Sequence, residues 1–407
     1  MNGCFACFNR RIARADSETG EELMGKNSMK VLVTQRLLPH YRIPLFKKLN
    51  DALDGDLTVA HGEPRGEVPE REPKDLGFRR IIVRNQWLFG ERLLFQNFSS
   101  AFRTCDPDVV VTEHAVRNLG AFHLMEMARK SDVPVLLWGP GRSQWRPLAK
   151  RDIRNTLHRW LIGNANGYIA YTHSRAKEVS KLLPKKPVFW ANNTIDTQLL
   201  GSIKENLEAE GEEAVKKRLG LSKPHYILFI GRIHSDKEPG IAVRLAKLLK
   251  EKKHDIGVLF IGDGPERAAV ELMASTMDGV HFLGTINDWA ASASYIFASS
   301  MLVMPQWLGL AANHCISLGT PVITFTPRSG GAGHPPEIDY VVDDVTGFQI
   351  AYNDLEAMVD VAEKILKNRD RFKAQCARFT AEEISIDRWV DGMVSAIRSV
   401  TLKEPED

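Results

Sequence analysis

Two short segments hold the residue types in this chain best suited to chemistry. The first is Gly231-Arg232-Ile233-His234-Ser235-Asp236-Lys237. The second is Pro305-Gln306-Trp307-Leu308-Gly309-Leu310-Ala311-Ala312-Asn313-His314, which continues to Gly319-Thr320-Pro321-Val322. Each follows an apolar run, 226–230 and 301–304, that reads as a buried parallel strand, and each then opens toward a helical pattern. Ligands of open α/β sheets bind at such strand ends. Arg232 and Lys237 bring two fixed positive charges from one strand end, while Gly309 and Leu310 can present backbone N–H groups from another. That combination suits a diphosphate.

With these residues in register, the chain resembles the retaining, nucleotide-sugar glycosyltransferases of family 4, over roughly residues 29 to 400. The family pattern has Gly-Arg with a Lys five residues on, matched by Gly231, Arg232 and Lys237. It then has Glu-x7-Glu around a Gly-Leu, ending in Gly-x-Pro-Val. Here the frame is intact, and Gln306 and His314 stand at the two carboxylate positions, as in the branch that reads Gly-Leu-x-x-Asn-His. The resemblance implies an α/β protein of the GT-B fold, two Rossmann-like domains facing across a cleft. It implies that Arg232 and Lys237 stabilise the departing nucleoside diphosphate, and that His114 falls where the family places a histidine near the reacting sugar. Donor contacts are then expected from Gly231, Gly262, Gly264, Gln306, Gly309, Leu310, Asn313, His314 and Glu337. A neutral imidazole offers one donor and one acceptor, so His314 can hold the ribose hydroxyls that a glutamate holds in relatives. Near its ordinary pKa it would also add charge toward the diphosphate in mild acid.

Several positions have plainer readings. Arg232 and Lys237 could pair with Asp236 or Glu238 at the surface. Gly262-Asp263-Gly264 could be only a tight strand-to-helix turn. His314 could be a buried helical histidine. On the first half, Pro39-His40-Tyr41-Arg42-Ile43-Pro44 follows the first strand, and His40 and Arg42 are candidates for acceptor or donor phosphate, or for a helix-capping loop. Glu113 and His114 end another strand, as cleft residues or a surface dipeptide. Asn192-Asn193-Thr194-Ile195-Asp196 reads as an interdomain junction, and Gly330 to Glu337 as a loop whose Pro-Glu part resembles a donor-site segment.

These residues need a frame, and the chain supplies one. Its 407 residues with 43% hydrophobic content should build two cores, since single cores seldom grow beyond about 250–300 residues. Predicted strands at 30–34, 57–60, 109–111, 135–138, 167–170 and 187–190 form one series. A second runs through 226–230, 256–261, 280–283, 301–304, 321–325 and 340–342. The expected division is a tail 1–28, an acceptor domain 29–198, a linker with an exposed helix 199–224, a donor domain 225–383, and a C-terminal helix 384–407 crossing back to the first domain.

A formal net charge of +3 gives no reason to expect nucleic acid as a partner. No apolar run is long enough for a membrane span. Cys4, Cys7, Cys105, Cys315 and Cys376 form no disulfide framework or zinc spacing, which fits a reducing cytoplasm. The basic stretch 150–162, with Ile153, Leu157, Trp160 and Leu161 on one face, could lie on anionic lipid at the inner face of a membrane or pack on its own sheet.

The expected activity is transfer of a hexosyl-type sugar from a nucleotide sugar to a glycan or lipid-linked acceptor, in cell-surface polysaccharide or glycoconjugate synthesis, with no cofactor and no metal. A non-catalytic module that binds sugar nucleotide or glycan is the alternative, because both carboxylates are replaced. A nicotinamide dehydrogenase is disfavoured, since no Gly-x-Gly-x-x-Gly follows the first strand.

Overall fold

The computed structural model describes residues 29–63, 75–141, 153–327 and 334–401. Residues 1–28 with Cys4 and Cys7, Arg142, Lys150, Arg151, residues 328–333 and the end of the chain from 402 lie outside the described residues, as does the side chain of Ile153.

The strands are Val31–Gln35 (β1), Leu57–Gly62 (β2), Arg79–Val83 (β3), Asn85–Leu88 (β4), Leu93–Gln96 (β5), Val109–Glu113 (β6), Val135–Gly139 (β7), Gly167–Ala170 (β8) and Val188–Trp190 (β9). They continue with His225–Ile230 (β10), Ile256–Ile261 (β11), Val280–Phe282 (β12), Met301–Val303 (β13), Val322–Phe325 (β14) and Gly347–Ile350 (β15). One sheet runs β3-β2-β1-β6-β7-β8-β9 and another β12-β11-β10-β13-β14-β15, while β4 and β5 form a separate antiparallel hairpin. All pairings in the two large sheets are parallel. The apolar runs of β1, β2, β7 and β11 are buried at every residue, as strands covered by helices on both faces must be. Strand order reverses between β1 and β6 in the first sheet and between β10 and β13 in the second. Crevices at the carboxyl ends of these strands are where such sheets bind ligands.

Two expectations are corrected here. Residues 340–342 are not a strand: Pro336–Tyr340 is a 3-10 helix, and Gly347–Ile350 takes the sheet edge instead. The consecutive Pro335 and Pro336 favour a turn, and a Cβ at Gly347 would stand 1.8 Å from the carbonyl oxygen of Val322, so glycine is needed where the edge strand closes on β14. The stretch after Asp196 is not a lone exposed helix. It is two helices, Thr197–Glu210 and Glu212–Arg218, broken at Gly211 with φ 87°. Leu200, Leu207 and Val215 face inward and join the core of the second sheet.

The last helix, Ile386–Thr401, packs Ile386, Trp389, Met393 and Ile397 into the core of the first domain against Phe46, Val111 and Trp138. Its approach is close enough that a Cβ on Gly392 would lie 2.3 Å from the carbonyl oxygen of Trp190. The chain therefore passes between the two domains twice, near Asn192–Thr197 and near Ile384–Ile386. Hydrogen bonds fasten the crossings to each other: Asn192 Nδ2 donates to the Glu383 carbonyl at 2.7 Å, Ile386 N donates to Thr197 Oγ1 at 3.0 Å, and Thr194 Oγ1 donates to the Ile384 carbonyl.

Candidate functional site

At the β10/β13 reversal the loops after the two strands meet. Lys237 sits in the short 3-10 turn Ser235–Lys237 and donates its Nζ to the carbonyl oxygen of Trp307 at 2.9 Å, with Met304 Sδ 3.7 Å away. Burial lowers its pKa, with Asp236 working in the opposite direction. Arg232 is exposed. Among the described residues neither cation forms an ion pair, because the neighbouring carboxylates are engaged elsewhere. Asp236 Oδ1 lies 2.9 Å from His234 Nδ1, and Glu238 accepts from the Tyr352 hydroxyl at 2.9 Å. The surface-pair reading of Arg232 and Lys237 thus has no counterpart among these contacts.

Gln306 is buried beside Trp307, and neither its Oε1 nor its Nε2 has a partner among the described residues. A buried amide left unsatisfied costs about 1–3 kcal/mol, so a group with this little accommodation points to a partner that arrives with a ligand. Gly309 has φ 54° and leads through Leu310 into the helix Ala311–Ser317, which carries Asn313 and His314, both buried. Burial takes the His314 pKa down to about 3, so the imidazole is neutral at any ordinary pH. The expected gain of positive charge in mild acid is therefore corrected: the ring stays uncharged there.

Asn313 has a different allegiance from the one expected. Its Nδ2 donates at 3.0 Å to the carbonyl oxygen of Asn193, across the domain boundary. The same carbonyl accepts the Tyr340 hydroxyl at 2.9 Å, and Asn193 Nδ2 donates to Glu337 Oε1 at 2.6 Å. Asn193 is thus a buried knot between the domains, with Glu337 and Asn313 tied into it. Burial raises the Glu337 pKa against the effect of the Asn193 hydrogen bond. Its Oε2 and the Asn313 Oδ1 remain without partners among the described residues.

Gly262 and Gly264 have a clear steric role. Gly262 has φ 128°, and a Cβ on it would stand 2.0 Å from the Gly231 carbonyl oxygen; one on Gly264 would stand 2.2 Å from the Ile233 carbonyl oxygen. These glycines let the loop after β11 lie directly on the Gly231–Lys237 loop, where Ile233 N donates to the Asp263 carbonyl at 3.0 Å. Gly262→Ala is expected to lower stability by about 1–3 kcal/mol through overpacking and strain. A smaller drop in the urea midpoint than that range allows would show that the loop can yield.

On the first domain, the site candidates divide. His40 is exposed at the start of the 3-10 turn His40–Arg42. Arg42 is buried, donates to the Tyr171 hydroxyl at 3.0 Å and lies 4.5 Å from the Trp138 ring centroid. Burial works against its charge, yet Tyr171, Tyr41 and Glu113 hold its pKa above normal. Glu113 accepts from the backbone N of Arg36 at 2.9 Å, so it fixes the loop after β1. His114 is buried with both ring nitrogens engaged: Nδ1 is 2.7 Å from the Tyr168 hydroxyl and Nε2 is 2.9 Å from His158 Nδ1. The Tyr168 oxygen also accepts from Gly141 N at 3.0 Å, so His114 sits in a continuous hydrogen-bonded chain from Gly141 through Tyr168 to His158. Burial, reinforced by His158, lowers the His114 pKa to about 3. The ring acts as a framework piece joining β6, β8 and the helix Ile153–Asn164.

Sequence reasoning did not anticipate Tyr168, His158, Trp307 or Tyr340. Each comes from a different element, so no spacing announces them. Cys105, Cys315 and Cys376 are buried and free.

Residues 211–382 match the model of the family described as glycosyl transferases group 1, which supports that broad family for the C-terminal domain. The sulfoquinovosyl transferase SQD2 of Arabidopsis thaliana is 29% identical over 163 residues, 39% of this chain and 30% of that protein. The alpha-D-kanosaminyltransferase of Streptomyces kanamyceticus is 22% identical over 198 residues, 46% of this chain and 49% of that protein. The chain thus aligns with less than half the length of either relative. Among solved structures, a glycosyltransferase of Rickettsia africae superposes with TM-score 0.69 at 13% identity, covering 93% of this chain and 100% of that one. HepE of Anabaena in complex with UDP superposes with TM-score 0.65 at 12% identity, covering 91% and 100%. The fold is therefore GT-B, with two Rossmann-like halves.

Proposed function

We propose that the chain moves a sugar from a nucleoside diphosphate sugar to a hydroxyl of a glycan or lipid-linked glycan, with retention and without a metal ion, in the cytoplasm. One observation carries this reading. At the β10/β13 reversal, Arg232 and Lys237 are two cations that no described carboxylate neutralises, and Lys237 is bonded to Trp307, next in the chain to the unsatisfied buried amide of Gln306. A diphosphate answers the charge, and a donor-sugar hydroxyl answers the amide.

Breaking the sugar–phosphate bond builds negative charge on the leaving diphosphate, and preorganised cations stabilise it as it develops. The acceptor hydroxyl then attacks from the face the diphosphate leaves, which retains configuration. Gln306 would hold the donor sugar through neutral hydrogen bonds, and the neutral imidazole of His314 would serve the ribose. The binding of UDP and of UDP-glucose by the HepE structures agrees with a donor of this class. Polysaccharide or glycoconjugate synthesis is the setting proposed. The second reading, a module that binds sugar nucleotide without turnover, draws on the replacement of both carboxylates by Gln306 and His314.

The test is a thermal-shift screen against nucleoside diphosphate sugars, followed by release or transfer of labelled sugar, in the presence of EDTA. A donor that raises the midpoint and is turned over in chelator supports the proposal. Binding without turnover selects the non-catalytic module, turnover that requires manganese or magnesium removes the metal-free mechanism, and no binding at all removes both readings.

A further inference from the structure

The β4–β5 hairpin carries three consecutive exposed apolar side chains. Trp87 and Leu88 at the end of β4 are 36% and 37% exposed, and Phe89 in the turn is 77% exposed. Its base is rigid. Gln96 Nε2 donates to the Arg36 carbonyl at 2.9 Å and to Asn85 Oδ1 at 2.8 Å, Asn118 Nδ2 donates to Gln96 Oε1 at 2.6 Å, and Leu94 N donates to the Arg117 carbonyl at 2.8 Å. These bonds fix the hairpin to the loops after β1 and β6, on the first domain's side of the cleft.

Its turn is locally unfavourable. Phe89, Gly90 and Glu91 all have positive φ, at 52°, 62° and 66°. A bulky aromatic in the left-handed region is a conformational outlier where glycine or asparagine would sit freely. Holding phenylalanine there, pointed into solvent, serves neither the turn nor the core. Arg84, just before β4, and Arg92, just after the turn, flank it and are both exposed.

We propose that this hairpin docks the protein on an anionic lipid surface, with Trp87, Leu88 and Phe89 entering the interface and the surrounding arginines facing the headgroups. Aromatic side chains favour the membrane–water boundary, and basic residues beside them are drawn to anionic lipid. A protruding three-residue apolar tip is suited to insertion, whereas a protein partner would be met by a broader face. The basic helix Ile153–Asn164 is the weaker candidate. Leu161 and Ile162 are buried in the domain core, and Trp160 is stacked on Phe122 with ring centroids 5.3 Å apart.

Flotation of the full chain with phosphatidylcholine vesicles, with and without phosphatidylglycerol, tests this without reference to catalysis. Binding is expected only with phosphatidylglycerol and should weaken as salt rises. Phe89→Gly should leave the thermal midpoint unchanged or higher, because glycine suits the turn, yet weaken vesicle binding by about ten-fold or more. Paired Arg84→Gln and Arg92→Gln should weaken it comparably, and paired Leu157→Ser and Trp160→Ser should not. Absence of binding to anionic vesicles overturns the proposal. So does wild-type binding by the Phe89 variant, loss of binding only in the helix variant, or a change of oligomeric state caused by the hairpin variants. None of these results bears on donor turnover, so the membrane proposal and the transferase reading fail separately.

Discussion

Arg232→Ala and Lys237→Ala should each lower the rate of sugar transfer by about 10²–10³-fold, the usual effect of removing one preorganised group that stabilises transition-state charge. The two should differ in how the loss appears. Arg232 is exposed and makes no side-chain hydrogen bond or ion pair among the described residues, so its removal should act on turnover and on diphosphate affinity with the fold intact. Lys237 also joins the two loops through the Trp307 carbonyl, and Trp307 itself has φ 54°. Removing it leaves that carbonyl without its ammonium donor, so a modest loss of stability should accompany the kinetic defect. Lys237→Arg should not restore activity, because a planar guanidinium cannot replace a compact ammonium between Met304 and the Trp307 carbonyl. The measurements are single-turnover transfer with a labelled donor, nucleoside diphosphate affinity, and the thermal midpoint. Turnover near that of the wild type in either alanine variant would remove the leaving-group role.

The difference between these two cations also marks how far the sequence could be read. Apolar runs such as Ile256–Ile261 announced buried parallel strands because no polar alternation interrupts them. Once the runs are placed, the reversal of strand order brings the loop 231–237 beside 305–310, so the contact of Lys237 with Trp307 follows from topology. What the sequence left unread has a common cause. Arg79–Val83, Asn85–Leu88 and Leu93–Gln96 were not anticipated because they are only four or five residues long and largely exposed on β3 and β4, so no buried apolar run marks them. The roles of His114 and Asn313 depended on contacts made across 54 and 120 residues, with Tyr168 and Asn193. Spacing carries no information at that range. Gly262 and Gly264 read equally as a ligand approach or a tight turn, and the structure supplies a packing reason for both, a backbone carbonyl where each Cβ would stand.

Acid should destabilise this protein well before its exposed carboxylates titrate, and the buried histidines set the window. His114 and His314 have pKa values lowered by burial to about 3, and burial lowers that of His334 to about 4. Unfolded, each returns to about 6.5. Between these limits the unfolded chain binds protons that the folded chain refuses, so stability falls as pH drops from about 6.5 toward 3, and the stabilising term is complete only above 6.5. Each histidine contributes a slope of at most about 1.4 kcal/mol per pH unit, and three acting together could consume a stability of the usual 5–15 kcal/mol within a few units. Glu337 acts in the opposite sense. Its raised pKa means the folded state takes up a proton before the unfolded state does, which offsets part of the loss in the carboxylate range. Urea unfolding at a series of pH values from 7 to 4 gives the slope directly. His114→Gln removes a group that can charge while keeping a donor and an acceptor for Tyr168 and His158, so it should lower stability at pH 7 yet flatten the pH dependence by up to one proton. His314→Gln should flatten it similarly, and the two effects should add because the residues belong to different domain cores. If the slope between pH 6.5 and 4 is the same in wild type and in both variants, these histidines accept protons in the folded state, and burial of neutral imidazole cannot be what limits the protein in acid.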